Sequence, residues 1–224
     1  MIKAYRANGS ETVLTPDQSP SGLADDIVWI DLLHPTPEED RFVETLLDIS
    51  VPTRDELKDI EPSSRLYVEK TSVFMTASLV WRADTDDPQL TDVAFILARD
   101  RLLTVRYAEP KSFHLFVAAF GRVPEDMSNG CAVLAHLLET IADRTAEILE
   151  TAIARIDALS TEIFRDRARR RPPKFLEGKL ADIAECHRLL GKVRDSLGSL
   201  SRVLTFLMNT HAVTSDKETA KLCK

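Results

Sequence analysis

The hydrophobic positions change period along this 224-residue chain. Up to about residue 107, short apolar runs alternate with turn residues; across 131–208, apolar side chains recur at three- and four-residue steps. The first pattern is that of strands with short helices, the second that of long amphipathic helices. Residues 2–7 and 12–14 read as short strands around the turn dipeptide Asn8-Gly9. Ile27–Leu33 reads as a stronger strand. Next, Thr36 can cap a helix, Pro37 fits its first position and Glu39 closes a capping box, so a helix is predicted to about Asp48. Thr53 and Glu56 repeat that spacing and open a shorter helix ending before Pro62. Strands are then predicted at Leu66–Glu69, 73–81, 92–98 and 102–107, as two hairpins turning near 70–72 and at Asp100. A third amphipathic helix is predicted over Lys111–Phe120.

In the long stretch, Leu134, Leu138, Ile141, Ile148, Ala152, Ile156, Leu159 and Ile163 share one helical face. Leu176, Leu180, Ile183, Leu190, Val193, Leu197, Leu200, Leu204 and Leu207 do the same in a second helix. Each run is about 35 residues, roughly 50 Å at about 1.5 Å per residue. Pro172 and Pro173 stop the first run, and the short connection predicts antiparallel neighbours. The fold expected is α/β: a mixed, mostly antiparallel sheet of about seven strands sandwiched by helices (α/β/α), followed by a long antiparallel helical hairpin. The expected division is 1–124 for the α/β/α unit, 125–212 for the hairpin, and 213–224 for the start of a further linker or stalk helix.

Composition narrows the function. A formal charge of −7 argues against nucleic acid as the partner, because phosphate binding is driven by Lys and Arg, and suits cations or basic partners. The three cysteines, Cys131, Cys186 and Cys223, are far apart, so neither a disulfide framework nor a structural zinc site is indicated and a reducing compartment fits. No secretion signal is visible at the amino terminus. The longest apolar run, residues 93–98, is far short of the roughly 20 residues needed to cross a bilayer.

Enzymatic signatures are missing: there is no Gly-x-Gly, no phosphate-cradling loop and no Gly-x-Ser-x-Gly elbow. The five histidines are dispersed, and His136 with Glu139 shares a helix face without forming a paired Glu-x-x-His metal motif. The informative cluster is Asp84, Asp86 and Asp87, three carboxylates in four positions between two predicted strands. Magnesium takes oxygen ligands, keeps several waters and needs only one or two carboxylates, so this loop reads either as a sparse cation site or as a solvated hairpin loop. On the second long helix Ala184, Gly191, Gly198 and Thr205 recur every seven residues, which predicts close packing on the first helix or a subunit interface. The basic run Arg165, Arg167, Arg169, Arg170, Arg171 and Lys174 marks the hairpin tip, either solvated or attractive to anionic lipid headgroups.

Taken together the chain resembles the cytoplasmic portion of the CorA family of magnesium channels. The residues that carry the resemblance are Trp29-Ile30-Asp31-Leu32 with Pro35-Thr36-Pro37-Glu38-Glu39, Pro52-Thr53-Arg54-Asp55-Glu56-Leu57 with Ser63-Ser64-Arg65-Leu66-Tyr67, and Phe95-Ile96-Leu97 with Leu102-Leu103-Thr104-Val105-Arg106-Tyr107, followed by the long hairpin. It covers nearly the whole chain. The family's Gly-Met-Asn tripeptide and its membrane helices are absent, so a segment ending just after the hairpin, before the stalk and lipid, is expected. The resemblance implies a homopentamer around a central pore, at the cytoplasmic face of the inner membrane, reaching lipid only through C-terminal helices. It implies a non-enzymatic α/β/α domain in which magnesium between protomers holds the closed state. One ligand of that site lies in the loop after the strand at 73–81, which makes Asp84 or Asp86 the best match; its partner would lie on a neighbour's stalk helix beyond Lys224. Magnesium binding by this segment alone is therefore expected to be weak, about millimolar or poorer. The family's hairpin tips are often acidic, and this one is basic. Two further readings stand beside it: a zinc transporter of the ZntB type, which shares the fold, and a cytosolic adaptor whose helical hairpin docks a partner.

Overall fold

A computed structural model of the chain describes residues 1–17, 23–58, 61, 65–120, 122, 127–164 and 173–210. Three strands, β1 (Ile2–Arg6), β2 (Glu11–Leu14) and β3 (Ile27–Leu33), lead into helix α1 (Pro37–Leu47). Four more strands come next: β4 (Leu66–Glu69), β5 (Ser72–Trp81), β6 (Gln89–Ala98) and β7 (Arg101–Arg106). Helix α2 (Lys111–Phe120) then precedes the long helices α3 (Gly130–Phe164) and α4 (Pro173–Asn209).

Local signals act as the side chains dictate. Thr36 accepts the Glu39 N–H while the Glu39 carboxylate takes the Thr36 N–H, so the capping box forms with Pro37 in the first turn. Thr53 and Glu56 form the same exchange, at 2.7 and 3.4 Å. This second cap opens onto a 3-10 turn at Glu56–Lys58, and the remainder of the predicted second helix lies outside the described residues.

The seven strands form one sheet in the order β2-β1-β3-β7-β6-β5-β4. Two antiparallel blocks meet along one parallel seam, β3 against β7, with Asp31 opposite Thr104 and Leu33 opposite Arg106. Alternation then sorts the side chains. Ile30, Leu32, Phe74, Ile96 and Leu103 point to the face covered by α1, where Val43 and Leu47 meet them. Trp29, Met75, Phe95 and Leu102 point to the other face, under Phe113 and Phe116 of α2 and the nearer halves of α3 and α4. The predicted helix-flanked, mixed sheet is the observed one.

Helices α3 and α4 run antiparallel, as ion pairs from Arg155 to Glu185 (2.7 Å) and from Lys179 to Glu162 (2.6 Å) establish. Their apolar faces are not buried end to end. Leu134, Leu138, Ile141, Leu200 and Leu207 are buried against the sheet, whereas Leu176, Leu180 and Ile183 farther out are 51, 66 and 43% exposed. Past the sheet, two helices cover only the seam between them, here Ala152, Leu159 and Cys186, and the rest of each apolar stripe lies open.

Of the two readings of the small-residue stripe, close packing on the first helix is overturned. Among the described residues, a Cβ added at Gly191 meets no atom within 4 Å, and one at Gly198 meets only the end of Arg202 at 3.8 Å. The stripe thus faces away from α3, and no close backbone approach explains it. Gly130, by contrast, does require its hydrogen. A Cβ there would lie 2.3 Å from the Arg101 carbonyl carbon, because α3 starts directly on the β6–β7 turn and the Gly130 N–H donates to the Asp100 carbonyl at 2.7 Å. Of the basic run, the residues between 165 and 171 lie outside the described residues, and Lys174 is exposed.

Candidate functional site

The acidic loop joins β5 to β6. Arg82 opens it with a left-handed backbone (φ 54°), and its carbonyl accepts from the Thr85 N–H (3.0 Å) and hydroxyl (2.9 Å). The Thr85 hydroxyl oxygen in turn accepts the Asp87 N–H, and Gln89 Nε2 donates to Asp87 Oδ2 at 2.7 Å. The loop is thereby shaped by its own hydrogen bonds. At its base, Val80, Ala83 and Leu90 pack on Ile148 and Leu149 of α3 and on Val193 of α4. That apolar patch fixes where the carboxylates stand relative to the helices.

The three carboxylates stand differently. Asp84 is forked onto Arg144 of α3, with Nη2 at 2.6 Å from Oδ1 and 2.8 Å from Oδ2, and it receives Lys111 Nζ at 3.2 Å. Arg144 also donates to Glu147, so two carboxylates balance two cations in the cluster. The Arg144 hydrogen bonds hold the Asp84 carboxyl below the usual carboxylate range, outweighing its partial desolvation, and Lys111 adds to the effect. Asp86 and Asp87 are exposed, and Asp87 has Arg82 Nη1 at 3.8 Å.

The structure therefore brings Asp84 to Arg144 and Lys111 rather than to Asp86 and Asp87. Among the described residues no three His, Cys, Asp or Glu side chains converge as a metal cage. The donor set fits a water-rich contact with one or two carboxylates, which is how magnesium binds protein, and does not fit a fully ligated ion. His136 Nδ1 lies 3.3 Å from Glu139 Oε2 within one helix turn, as their spacing predicted. Arg144 escaped sequence reasoning although a signal was present: a charged residue interrupts the apolar stripe between Ile141 and Ile148, where only a partnered side chain can be buried. On the α1 side of the sheet lies a cavity of about 430 Å³, floored by Phe74 and Ile96 and edged by Tyr67, Glu56 and Glu69, which the sequence did not announce.

No helix among the described residues is long and apolar enough to cross a membrane. The family model described as CorA-like Mg2+ transporter protein matches residues 24–223. The magnesium transport protein CorA of Wolinella succinogenes is 27% identical over 188 residues; the match covers 82% of this chain and 57% of that protein, so the chain spans less than two thirds of that relative. The soluble domain of CorA from Methanocaldococcus jannaschii has the same fold, with a TM-score of 0.73 at 16% identity over 100% of this chain and 85% of that one. The ZntB cytoplasmic domain from Vibrio parahaemolyticus is similar too, with a TM-score of 0.66 at 12% identity over 100% of this chain and 85% of that one. With a match that takes in nearly every described element, the chain belongs to the family of CorA-like Mg2+ transporter proteins.

Proposed function

We propose that this chain is the cytoplasmic, ion-responsive part of a CorA-like magnesium channel, acting as a homopentamer at the inner face of the plasma membrane and needing no catalytic chemistry. The observation that carries the reading is the family match over residues 24–223, on a fold that also carries an acidic loop between β5 and β6. Exposed Asp86 and Asp87, with Asp84 behind them, supply the carboxylates that meet magnesium between protomers. Their number suits magnesium, which retains most of its waters. An ion held better at closed-state contacts than at open-state ones stabilises the closed state; without that difference it shifts nothing. Acidic loops approaching one another in a ring would otherwise repel, and the ion offsets that repulsion.

A zinc-transporting relative of the ZntB type is the second reading, favoured by the likeness of fold. Reconstituting the full reading frame in vesicles that hold a magnesium-sensitive or a zinc-sensitive dye separates the two. Magnesium entry that stops when magnesium is added on the domain's side is the expected result. Zinc entry without magnesium entry supports the second reading, and entry of neither ion overturns both.

A further inference from the structure

Asp84 already has cations of its own. Arg144 is only 8% exposed at its side chain while Asp84 is 61% exposed, so the buried partner is the guanidinium and the accessible one is the carboxylate. A buried guanidinium keeps its charge and needs a counter-charge close by. Arg144 has two, Asp84 on Nη2 and Glu147 on Nη1. It can therefore release Asp84 and stay paired. Lys111, 55% exposed, makes a second, looser contact on the same carboxylate.

We infer that Arg144, with Lys111, is a tethered competitor for cations at Asp84: an incoming divalent ion takes the carboxylate from Arg144, which falls back on Glu147, and the loop tip is uncoupled from α3. The inference rests on the reading that the β5–β6 loop meets magnesium, and it deepens that reading by naming what sets the threshold. Two fixed single charges already face Asp84, so a monovalent ion brings too little charge to displace them, whereas a divalent ion matches what leaves. The hydrogen bonds at Arg82, Thr85 and Gln89 do not involve Arg144, so the loop keeps its shape when released. The apolar contact of Ala83 and Leu90 with Ile148 and Leu149 confines the release to the tip.

Magnesium titration of the 224-residue chain, monitored through backbone amide resonances of residues 83–87 and 143–148, tests it. In the wild type both segments should shift with one midpoint. Arg144→Met should lower the loop midpoint roughly five- to tenfold, the low end of the usual range of a site-to-site coupling, and Arg144→Lys should fall between. Potassium at matched ionic strength should give neither segment a saturable shift, only the gradual drift of screening. If Arg144→Met does not fold, Lys111→Met removes the exposed competitor instead and should lower the midpoint about twofold. A loop that responds to magnesium with the same midpoint in wild type, Arg144→Met and Lys111→Met overturns the competitor and leaves the loop site standing. A loop silent up to tens of millimolar magnesium in every variant overturns the loop site itself, and the competitor with it.

Discussion

Asp31 and Arg106 form a forked ion pair inside the parallel seam of the sheet, with Arg106 Nη2 at 2.7 Å and Nε at 3.1 Å from Asp31 Oδ2. They are 1% and 5% exposed. Their remaining polar atoms are partnered as well: Thr104 donates to Asp31 Oδ1 at 2.7 Å, Trp29 Nε1 donates to Thr104 Oγ1 at 2.9 Å, and Arg106 Nη1 donates to the Ala108 carbonyl. The Arg106 guanidinium also lies 4.6 Å from the Phe113 ring centre, joining the seam to α2. Removing one partner strands a buried charge, so Asp31→Ala should cost about 3–5 kcal/mol in urea unfolding, a large share of the roughly 5–15 kcal/mol that holds a domain together. A loss under about 1 kcal/mol would show that the pair is not closed to water.

Gly130 and Gly191 should respond in opposite directions to the same change. Gly130→Ala pushes a methyl into the Arg101 backbone and should destabilise by about 1–3 kcal/mol as α3 shifts off the β6–β7 turn. Gly191→Ala adds a methyl to open space within a helix and should stabilise by about 0.8–1 kcal/mol. Paired denaturant melts of the two variants check both signs.

Acid should loosen the contact between the β5–β6 loop and α3. The folded-state pKa of Asp84 is depressed by Arg144 and Lys111, so the stability it supplies is present above the unfolded value of about 3.9 and is lost as pH falls through the folded one. The gap in melting temperature between wild type and Asp84→Asn should therefore be constant from about pH 5 to 7 and close below about pH 4. Because Asp84 is largely exposed, the gap should correspond to no more than about 1 kcal/mol and shrink with salt.

Stability should grade along the hairpin. Leu200→Ala, under the sheet, should cost about 2–5 kcal/mol, whereas Leu180→Ala on the open outer half should stay within about 0.5 kcal/mol. Equal losses at the two positions, measured by the same unfolding assay, would mean that the outer half is covered in solution.

Most element positions were legible because their causes are local. Thr36 and Glu39 are three residues apart, so the cap of α1 could be read directly, and most of β6 could be placed from the composition of 92–98, although the strand begins earlier, at Gln89. At Thr53 and Glu56 the cap could be read in the same way, and the described turn that it opens is 3-10. For Gly191 and Gly198 the spacing left packing on the first helix beside a subunit interface, and the structure removes the first, since a seven-residue spacing says that side chains share a face without saying what that face meets. For the acidic loop, spacing placed Asp84, Asp86 and Asp87 together in sequence, and Arg144, 60 positions away, separates their roles.

By itself the sequence determined most of the elements, their caps, the local hairpins of the sheet and the antiparallel turn of the long helices, because each follows from residues close together in the chain. Only the tertiary structure decided that β3 lies beside β7, that Asp31 finds Arg106 across 75 positions, and that Asp84 comes with an arginine attached. Those pairings depend on the packing of the whole sheet against its helices, and a buried charge reveals its partner only once that packing closes around it.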